Sequence, residues 1–208
     1  MPDLVFDLDG TLVDSSTGIL KSLEFSFCQC GVDLSEKLDK KLIGPPLYKT
    51  VEKLANSSDQ ELISRLIETF KKHYDDKGYL DTYVFEGIAQ LLEKIYKDEI
   101  NVFIVTNKRK IPTMRIINHL GWGRYFKDIL SIDSLGHAKD NKADLIGYLI
   151  NKYNLNNEIY YIGDTKEDQR ASSEANIKFI FASWGYGSII DIDKSSIAER
   201  PGDIRSLI

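Results

Sequence analysis

The chain has 208 residues, of which 42% are apolar and 28% are charged, and its formal net charge is −5. These values are typical of a soluble globular protein, and a pI near 5.3 argues against a nucleic-acid partner, which would require a basic surface. No apolar run reaches the roughly 18 residues that span a membrane, and the start of the chain leads directly into a predicted strand, so we expect no signal peptide. Cys28 and Cys30 have neither the C-x-x-C redox spacing nor the spacing of a paired zinc motif. We therefore expect a cytoplasmic protein.

The first segment with a clear chemical pattern runs from Leu4 to Asp9. The apolar residues Leu4 to Phe6 predict a short buried strand, and the carboxylates of Asp7 and Asp9 follow it. Side chains alternate along a strand, so both carboxylates face one side if the strand continues that far. Neighbouring carboxylates repel each other unless a cation lies between them, and Mg²⁺ prefers such oxygen ligands. The simpler alternative is an acidic turn, because Asp and Gly are common in turns.

Residues 15–83 carry helical patterns and no convincing strand. Apolar residues recur at helical spacing from Ile19 to Phe27, and Gly31 is placed to end that helix. Further helical patterns cover three segments, Leu38–Ile43, Leu47–Leu54 and Leu62–Tyr74. We therefore predict an all-helical domain at residues 15–83, inserted directly after the first strand.

Predicted strands and helices alternate in the remainder of the chain. We expect strands at 101–105, 128–132, 158–162 and 178–181, and helices at 87–96, 112–120, 141–153 and 168–176. Strands separated by helices of this length predict a parallel sheet with right-handed crossovers. The expected fold class is therefore α/β, a doubly wound parallel sheet built from residues 1–14 and 84–208, with the helical domain inserted.

Chemically capable side chains follow three of the predicted strands. Polar residues of an open α/β sheet collect beyond the carboxyl ends of its strands, so these side chains are expected to share one site. Each alone has an ordinary interpretation, as a turn residue, a solvated lysine or a carboxylate at a helix start. The residues are Asp7 and Asp9, Thr106 and Asn107, Asp164 and Asp168, and Lys142 at the start of a neighbouring helix.

Four segments carry these residues: FDLDGTLVDS from Phe6, IVTNK from Ile104, NKADLIGYLI from Asn141 and YIGDTKED from Tyr161. In this order they resemble the four motifs of the haloacid dehalogenase (HAD) superfamily of phosphohydrolases. The resemblance covers nearly the whole chain and is greatest to the phosphoglycolate phosphatase-like branch. The helical insertion resembles the C1 cap domain of that branch. The segment IGPPL from Ile43 resembles a loop in the cap domain of that branch. The segment SWGYGS from Ser183 resembles a turn that follows a strand in the same branch.

The resemblance implies a Mg²⁺-dependent phosphomonoesterase that works through an aspartyl-phosphate. Asp7 would be the nucleophile, and Asp9 would act as general acid and then as general base. Mg²⁺ would be held by Asp7, the backbone carbonyl of Asp9, and Asp164. Thr106 and Lys142 would stabilise the transferred phosphoryl group.

The resemblance also implies contacts with the substrate, a small-molecule phosphate ester. Asn107 would donate a hydrogen bond to it, and the backbone at Gly10 would help to cradle the phosphate. Gly44 is expected to face the substrate from the cap, and a plain turn between helices is the alternative interpretation of Gly44–Leu47. Asp168 is expected to support metal-bound water or Lys142 rather than to bind the metal directly. Neither a nucleic acid nor a membrane is implied as a partner, and the sequence does not indicate an oligomeric state.

Several alternatives remain open at this point. Lys139 is a rival for the role of Lys142, although the K-A-D match favours Lys142. A β-phosphoglucomutase shares both aspartates and would return the phosphoryl group to a sugar, and a 5′-nucleotidase or a pyrophosphatase could use the same site. The lysine motif lacks the K-P-x-P form of the branch, which weakens assignment to phosphoglycolate itself. His137 is expected to be solvated or packed, and Asp140 to be an ordinary loop residue.

Overall fold

The computed structural model describes residues 1–136, 141–188 and 192–208. The chain divides into two compact units. One unit contains Met1–Asp14 and Val84–Ile208, and the other contains Ser15–Tyr83. Three residues weighed above, His137, Lys139 and Asp140, lie outside the described residues.

The first unit is built on a parallel sheet, which has six strands in the described part of the chain, in the order β5-β4-β1-β6-β7-β8. Each neighbouring pair is parallel, and β1 lies between β4 and β6, with Phe6 level with Ile104 and Ile162. The expected strands are present, and β8 was not predicted from the sequence. The strands are β1 (Asp3–Phe6), β4 (Val102–Thr106), β5 (Asp128–Ser131), β6 (Ile159–Gly163), β7 (Lys178–Ala182) and β8 (Ile197–Ala198). Two short strands, β2 (Val13–Asp14) and β3 (Tyr83–Val84), form a separate two-stranded sheet.

Helices cover both faces of the sheet, because the strands are apolar on both. Leu4 and Phe6 of β1 belong to one buried cluster, and Val5 belongs to another. The first cluster includes apolar residues of α4 and α5, and the second includes those of α6 and α7. This three-layer arrangement is the doubly wound α/β fold that was expected. The helices are α4 (Ile88–Lys97), α5 (Lys110–His119), α6 (Lys142–Tyr153), α7 (Lys166–Glu174) and α8 (Ile204–Leu207).

The second unit is helical, and its three α-helices share one apolar cluster. Gly31 ends the first helix in a left-handed conformation, and Asp59 caps the third through its side chain. The prediction of a helix over Leu38–Ile43 was wrong, because only a 3₁₀ turn forms there, at Lys40–Leu42. The segment is too short to offset the cost of helix nucleation. The helices are α1 (Ser16–Cys30), α2 (Leu47–Ala55) and α3 (Gln60–Asp76), and a second 3₁₀ turn spans Gly78–Leu80. None of the helices in the described ranges is both long and apolar enough to cross a bilayer.

Two helical glycines differ in the space around them, which allows a matched test of packing. A Cβ added to Gly18 in α1 would lie less than 3.0 Å from the carbonyl of Gly78, whereas one added to Gly147 in α6 would meet nothing within 4 Å. Replacing either glycine by alanine favours the helix by up to about 1 kcal/mol. Only Gly18→Ala also overpacks, which costs about 1–3 kcal/mol. We therefore expect urea denaturation to show lower stability for Gly18→Ala and equal or higher stability for Gly147→Ala. Equal effects of the two substitutions would contradict the close packing at Gly18.

Candidate active site

The candidate site lies at the carboxyl ends of the three central strands of the sheet. Asp7 directly follows β1, Thr106 ends β4, and Asp164 directly follows β6. Since β4, β1 and β6 are neighbours and run parallel, their ends meet at one edge of the sheet. The strand order thereby brings together residues that are far apart in the chain.

Three buried carboxylates form the centre of this site. Asp7, Asp164 and Asp168 each offer an oxygen, and these atoms lie within 4.8 Å of one another. Lys142, from the first turn of α6, pairs with two of these carboxylates. Its Nζ atom lies 2.5 Å from Oδ1 of Asp168 and 3.3 Å from Oδ1 of Asp7, and its side chain is only 3% exposed. The cluster therefore buries more carboxylates than the lysine can neutralise.

The pKa values of Asp7, Asp164 and Lys142 are all raised. Burial raises the pKa of Asp7 to about 8, against the attraction of Lys142 and with the help of Asp168 and Asp164. Burial and Asp168 raise the pKa of Asp164 to about 6, although hydrogen bonds to its carboxylate act in the opposite direction. Burial alone would lower the pKa of Lys142, but Asp168 and Asp7 outweigh it and raise this pKa, so the lysine stays charged. An additional cation would relieve the repulsion among the carboxylates.

The donor atoms at the centre suit a hard divalent cation. Oδ1 of Asp7 is buried and accepts no hydrogen bond from the described residues, despite its proximity to Lys142. A buried carboxylate oxygen without a donor is costly unless a cation coordinates it. Two further carboxylates stand beside it, and oxygen ligands of this kind are those that Mg²⁺ uses. The residues present therefore fit a bound metal ion.

The turn after β7 fixes the orientation of Asp164. Oδ2 of Asp164 accepts hydrogen bonds from the backbone N–H groups of Tyr186, at 2.7 Å, and of Gly187, at 3.3 Å. Oδ1 accepts a hydrogen bond from the hydroxyl of Thr11 at 3.1 Å. A Cβ atom on Gly185 would lie less than 3.0 Å from the Asp164 side chain. The SWGYGS segment thus positions the carboxylate of Asp164. The sequence predicted this segment only as a turn after a strand.

Gly10 also leaves room for Asp164 rather than presenting a free amide. Its backbone has a φ of 84°, and a Cβ atom there would lie less than 3.0 Å from the carboxylate of Asp164. Its N–H donates to the carbonyl of Val13 at 2.8 Å. The resemblance implied that the backbone at Gly10 helps to bind the phosphate. Its N–H would have to release the carbonyl of Val13 before it could do so.

Thr106 is arranged to donate a hydrogen bond. Its side chain is buried, and its Oγ1 atom accepts a hydrogen bond from the backbone N–H of Lys108 at 3.2 Å. Because that contact uses a lone pair of the oxygen, the hydroxyl proton remains able to point elsewhere. Asn107 is half-buried at the same strand end.

Sequence reasoning missed the partner of Asp9. Lys108 donates to both carboxylate oxygens of Asp9, at 3.0 and 2.9 Å, and the two side chains are 6% and 16% exposed. Lys108 was quoted above only as the last residue of the IVTNK segment. That segment was the available signal, but the partner lies 99 residues away in the chain.

Tyr161 was also missed, because its apolar neighbours favoured a simple core role. Its hydroxyl donates to the carbonyl of Val105 at 2.7 Å, and its ring lies 5.7 Å from Nζ of Lys142. The tyrosine is fully buried, and burial raises its pKa well above the ordinary value, so it remains neutral. It therefore ties β6 to the end of β4 beneath the charged cluster.

Asp168 and Gly44 complete the set of expected residues. Asp168 contacts Lys142 through Oδ1, and its Oδ2 accepts hydrogen bonds from the N–H, at 2.9 Å, and the hydroxyl, at 2.6 Å, of Thr165. Support of Lys142 by Asp168 was one of the two expected roles.

Gly44 belongs to the helical unit, where its φ of 117° strongly favours glycine.

Comparison with known families identifies the class of this protein. The profile of the family described as "Haloacid dehalogenase-like hydrolase" matches residues 4–182. The chain belongs to this family. The resemblance inferred from the four motifs is thereby confirmed.

Individual relatives of the chain carry different names. Tyrosine-protein kinase PtkA of Mycobacterium tuberculosis is 27% identical over 195 residues, which cover 93% of this chain but only 66% of PtkA. The phosphoglycolate phosphatase of Aquifex aeolicus is 27% identical over 206 residues, which cover 99% of this chain and 95% of that enzyme. A solved haloacid dehalogenase-like hydrolase structure from Streptococcus pneumoniae matches with a TM-score of 0.82 at 26% identity, covering 99% of this chain and 97% of that one. The expected α/β fold class is confirmed.

The raised pKa of Asp7 predicts how pH changes the stability of the metal-free protein. An aspartate in the unfolded chain ionises near pH 3.8, whereas Asp7 ionises near pH 8 in the folded protein. Between these values the folded protein retains a proton that the unfolded chain has lost, so Asp7 lowers stability as the pH rises. We expect Asp7→Asn to be more stable than the wild type in a chelator, by a margin that grows by at least about 1 kcal/mol from pH 5 to pH 8.

Urea denaturation at several pH values measures this margin. Asp193→Asn is the matched control, because Asp193 is exposed and hydrogen bonds from Ser195 lower the pKa of its carboxyl group. Its margin over the wild type is expected not to increase across the same range. A margin for Asp7→Asn that is constant between pH 5 and pH 8 would show that Asp7 is not held in its neutral form by burial.

Proposed function

We propose that this protein is a Mg²⁺-dependent phosphatase that hydrolyses small phosphomonoesters through an aspartyl-phosphate. The observation that carries the proposal is the position of Asp7, whose buried carboxylate stands beside Lys142, Asp164 and Asp168 at a strand end. Thr106 ends the neighbouring strand. A nucleophile, a fixed cation, a hydrogen-bond donor and metal-ligating oxygens are the groups that phosphoryl transfer to a carboxylate requires.

In the first step, an oxygen of Asp7 attacks the phosphorus and the bond to the ester oxygen breaks. Asp9 donates a proton to the departing oxygen as the electron pair moves onto it. In the second step, Asp9 accepts a proton from a water molecule that attacks the phosphorus. The bond between phosphorus and Asp7 then breaks, which releases phosphate and restores the carboxylate.

Charge is the main obstacle to this chemistry, since the carboxylate and the phosphate are both negative. Asp7, Asp164 and the backbone carbonyl of Asp9 would hold Mg²⁺, which supplies positive charge between nucleophile and phosphate when bound. One pair of unit charges about 4 Å apart at an effective dielectric near 20 contributes roughly 4 kcal/mol. That energy corresponds to a rate factor on the order of a thousand.

The remaining residues stabilise the transferred group. Lys142 offsets charge on the nucleophile and the phosphoryl oxygens, and Asp168 keeps its ammonium in place. Thr106 donates its hydroxyl proton to a phosphoryl oxygen, consistent with the lone pair already used by Lys108. Asn107 supplies a further donor at the same strand end.

We assign the helical unit, residues 15–83, the role of a cap domain that selects the substrate, with Gly44 in the loop that contacts it. Family members that resemble the chain carry the name phosphoglycolate phosphatase, and others are named 5′-nucleotidase and pyrophosphatase. Phosphoglycolate, nucleoside monophosphates and sugar phosphates are the candidate substrates. The alternatives, β-phosphoglucomutase-type transfer and pyrophosphatase activity, use the same core residues.

Hydrolysis of p-nitrophenyl phosphate tests the proposal. We expect turnover with Mg²⁺ and a fall of at least about a thousandfold when EDTA removes the metal, because the loss of one charge pair has this effect. Asp7→Asn is expected to lose activity at least as completely, because its amide is not a nucleophile toward phosphorus.

Asp128→Asn provides a matched control, since Asp128 begins β5 at the opposite edge of the sheet and pairs with Lys152 at the surface. It is expected to retain wild-type activity. Substantial turnover in EDTA, or by Asp7→Asn with Mg²⁺, would rule out the metal-assisted aspartyl mechanism.

A further inference from the structure

Lys108 is a lysine at the candidate site that none of the steps above uses. It lies two residues beyond Thr106, and its side chain is only 6% exposed. Its ammonium donates to both carboxylate oxygens of Asp9, at 3.0 and 2.9 Å. A largely desolvated ammonium is costly unless a carboxylate compensates it, so these two side chains restrain each other.

The backbone at Lys108 is also fixed. Its N–H donates to the hydroxyl oxygen of Thr106 at 3.2 Å, and the N–H of Lys110 donates to Asp133 at 2.8 Å. The base of the Lys108 side chain is therefore anchored to the end of β4, while its tip reaches the loop after β1. Lys108 thereby sets the position of the Asp9 carboxylate relative to Thr106.

We propose that Lys108 is a positioning residue for proton transfer by Asp9, holding the Asp9 carboxylate where the departing oxygen of the substrate receives its proton. This inference rests on the proposed function, in which Asp9 is the general acid. As the bond between phosphorus and the leaving oxygen breaks, the electron pair goes to that oxygen and the proton of Asp9 moves to it. The two-oxygen contact suits this task, because Lys108 can retain one carboxylate oxygen while the other carries the proton.

Substrates with different leaving groups can distinguish a role in proton transfer from a role in holding the site together. The leaving oxygen of an alkyl phosphate is strongly basic and requires a proton as it departs, whereas p-nitrophenolate departs without one. A misplaced Asp9 therefore slows the alkyl substrate much more than the aryl substrate. The constant kcat/KM isolates this step, because it reports events up to the first phosphoryl transfer and not the later attack by water.

The experiment compares wild type and Lys108→Met with Mg²⁺ on two substrates, p-nitrophenyl phosphate and an alkyl phosphate. The alkyl substrate is 2-phosphoglycolate or ribose 5-phosphate, whichever the wild type hydrolyses faster. We expect the ratio of alkyl to aryl kcat/KM to fall at least about tenfold, as part of the 10²–10⁴-fold that acid–base catalysis contributes. Both substrates are assayed on one preparation, so the ratio is independent of the fraction of variant that folds.

Three further variants make the result specific. Lys108→Arg retains a cation with several donors and is expected to restore most of the wild-type ratio. Lys97→Met removes a lysine with a 71% exposed side chain at the end of α4, and is expected to leave the ratio unchanged. Asp9→Asn is expected to lower the ratio at least as much as Lys108→Met.

The outcomes distinguish this inference from the proposed function. A normal ratio in Lys108→Met together with a lowered ratio in Asp9→Asn would overturn the role of Lys108 alone. Equal losses with both substrates in Lys108→Met would also overturn it, because they would connect Lys108 with phosphoryl transfer rather than with Asp9. A normal ratio in Asp9→Asn would instead contradict the proposed function.

Discussion

The repulsion among buried carboxylates is the interaction on which the rest of this site depends. Carboxylate oxygens of Asp7, Asp164 and Asp168 lie within 4.8 Å of one another, and Lys142 alone does not balance their charge. Burial keeps the pKa of Asp7 near 8. A fold selected only for stability would not retain such a cluster, because apolar residues in its place would cost less. Under the proposed function the same arrangement is useful, because a divalent cation would meet the carboxylates and a phosphate would meet Lys142, each already fixed in place.

The backbone contributes directly to holding Asp7 and Asp164 in place. Three adjacent parallel strands end at the site, and the order β4-β1-β6 places Asp7 between the other two strand ends. Two N–H groups of the turn after β7 donate hydrogen bonds to the carboxylate of Asp164. The turn can lie this close to the carboxylate because Gly185 has no Cβ atom. Preorganised dipoles and charges of this kind need no rearrangement during the reaction, which is the main source of electrostatic catalysis.

The sheet and the acidic centre could be predicted from sequence because they follow local rules. Apolar runs gave the central strands, and the rule that strand ends share one edge brought Asp7 and Asp164 together. The contacts that depend on tertiary structure could not be predicted in this way. The pairing of Lys108 with Asp9 requires β4 to lie beside β1. The hydrogen bonds to Asp164 require a particular turn geometry, whereas the sequence there shows only small and aromatic residues. The two-residue strand β8 was too short to leave an apolar pattern.

Calorimetric titration of the metal-free protein with Mg²⁺ tests whether the buried carboxylates form a metal site. We predict saturable binding of one ion with release of protons between pH 6 and pH 8, because the cation lowers the raised pKa values of Asp7 and Asp164. Repeating the titration in buffers of different ionisation enthalpy measures the proton release, and Asp7→Asn is predicted to weaken binding and reduce that release. Absence of saturable binding, or binding that is unchanged in Asp7→Asn, would show that these carboxylates are not a metal site.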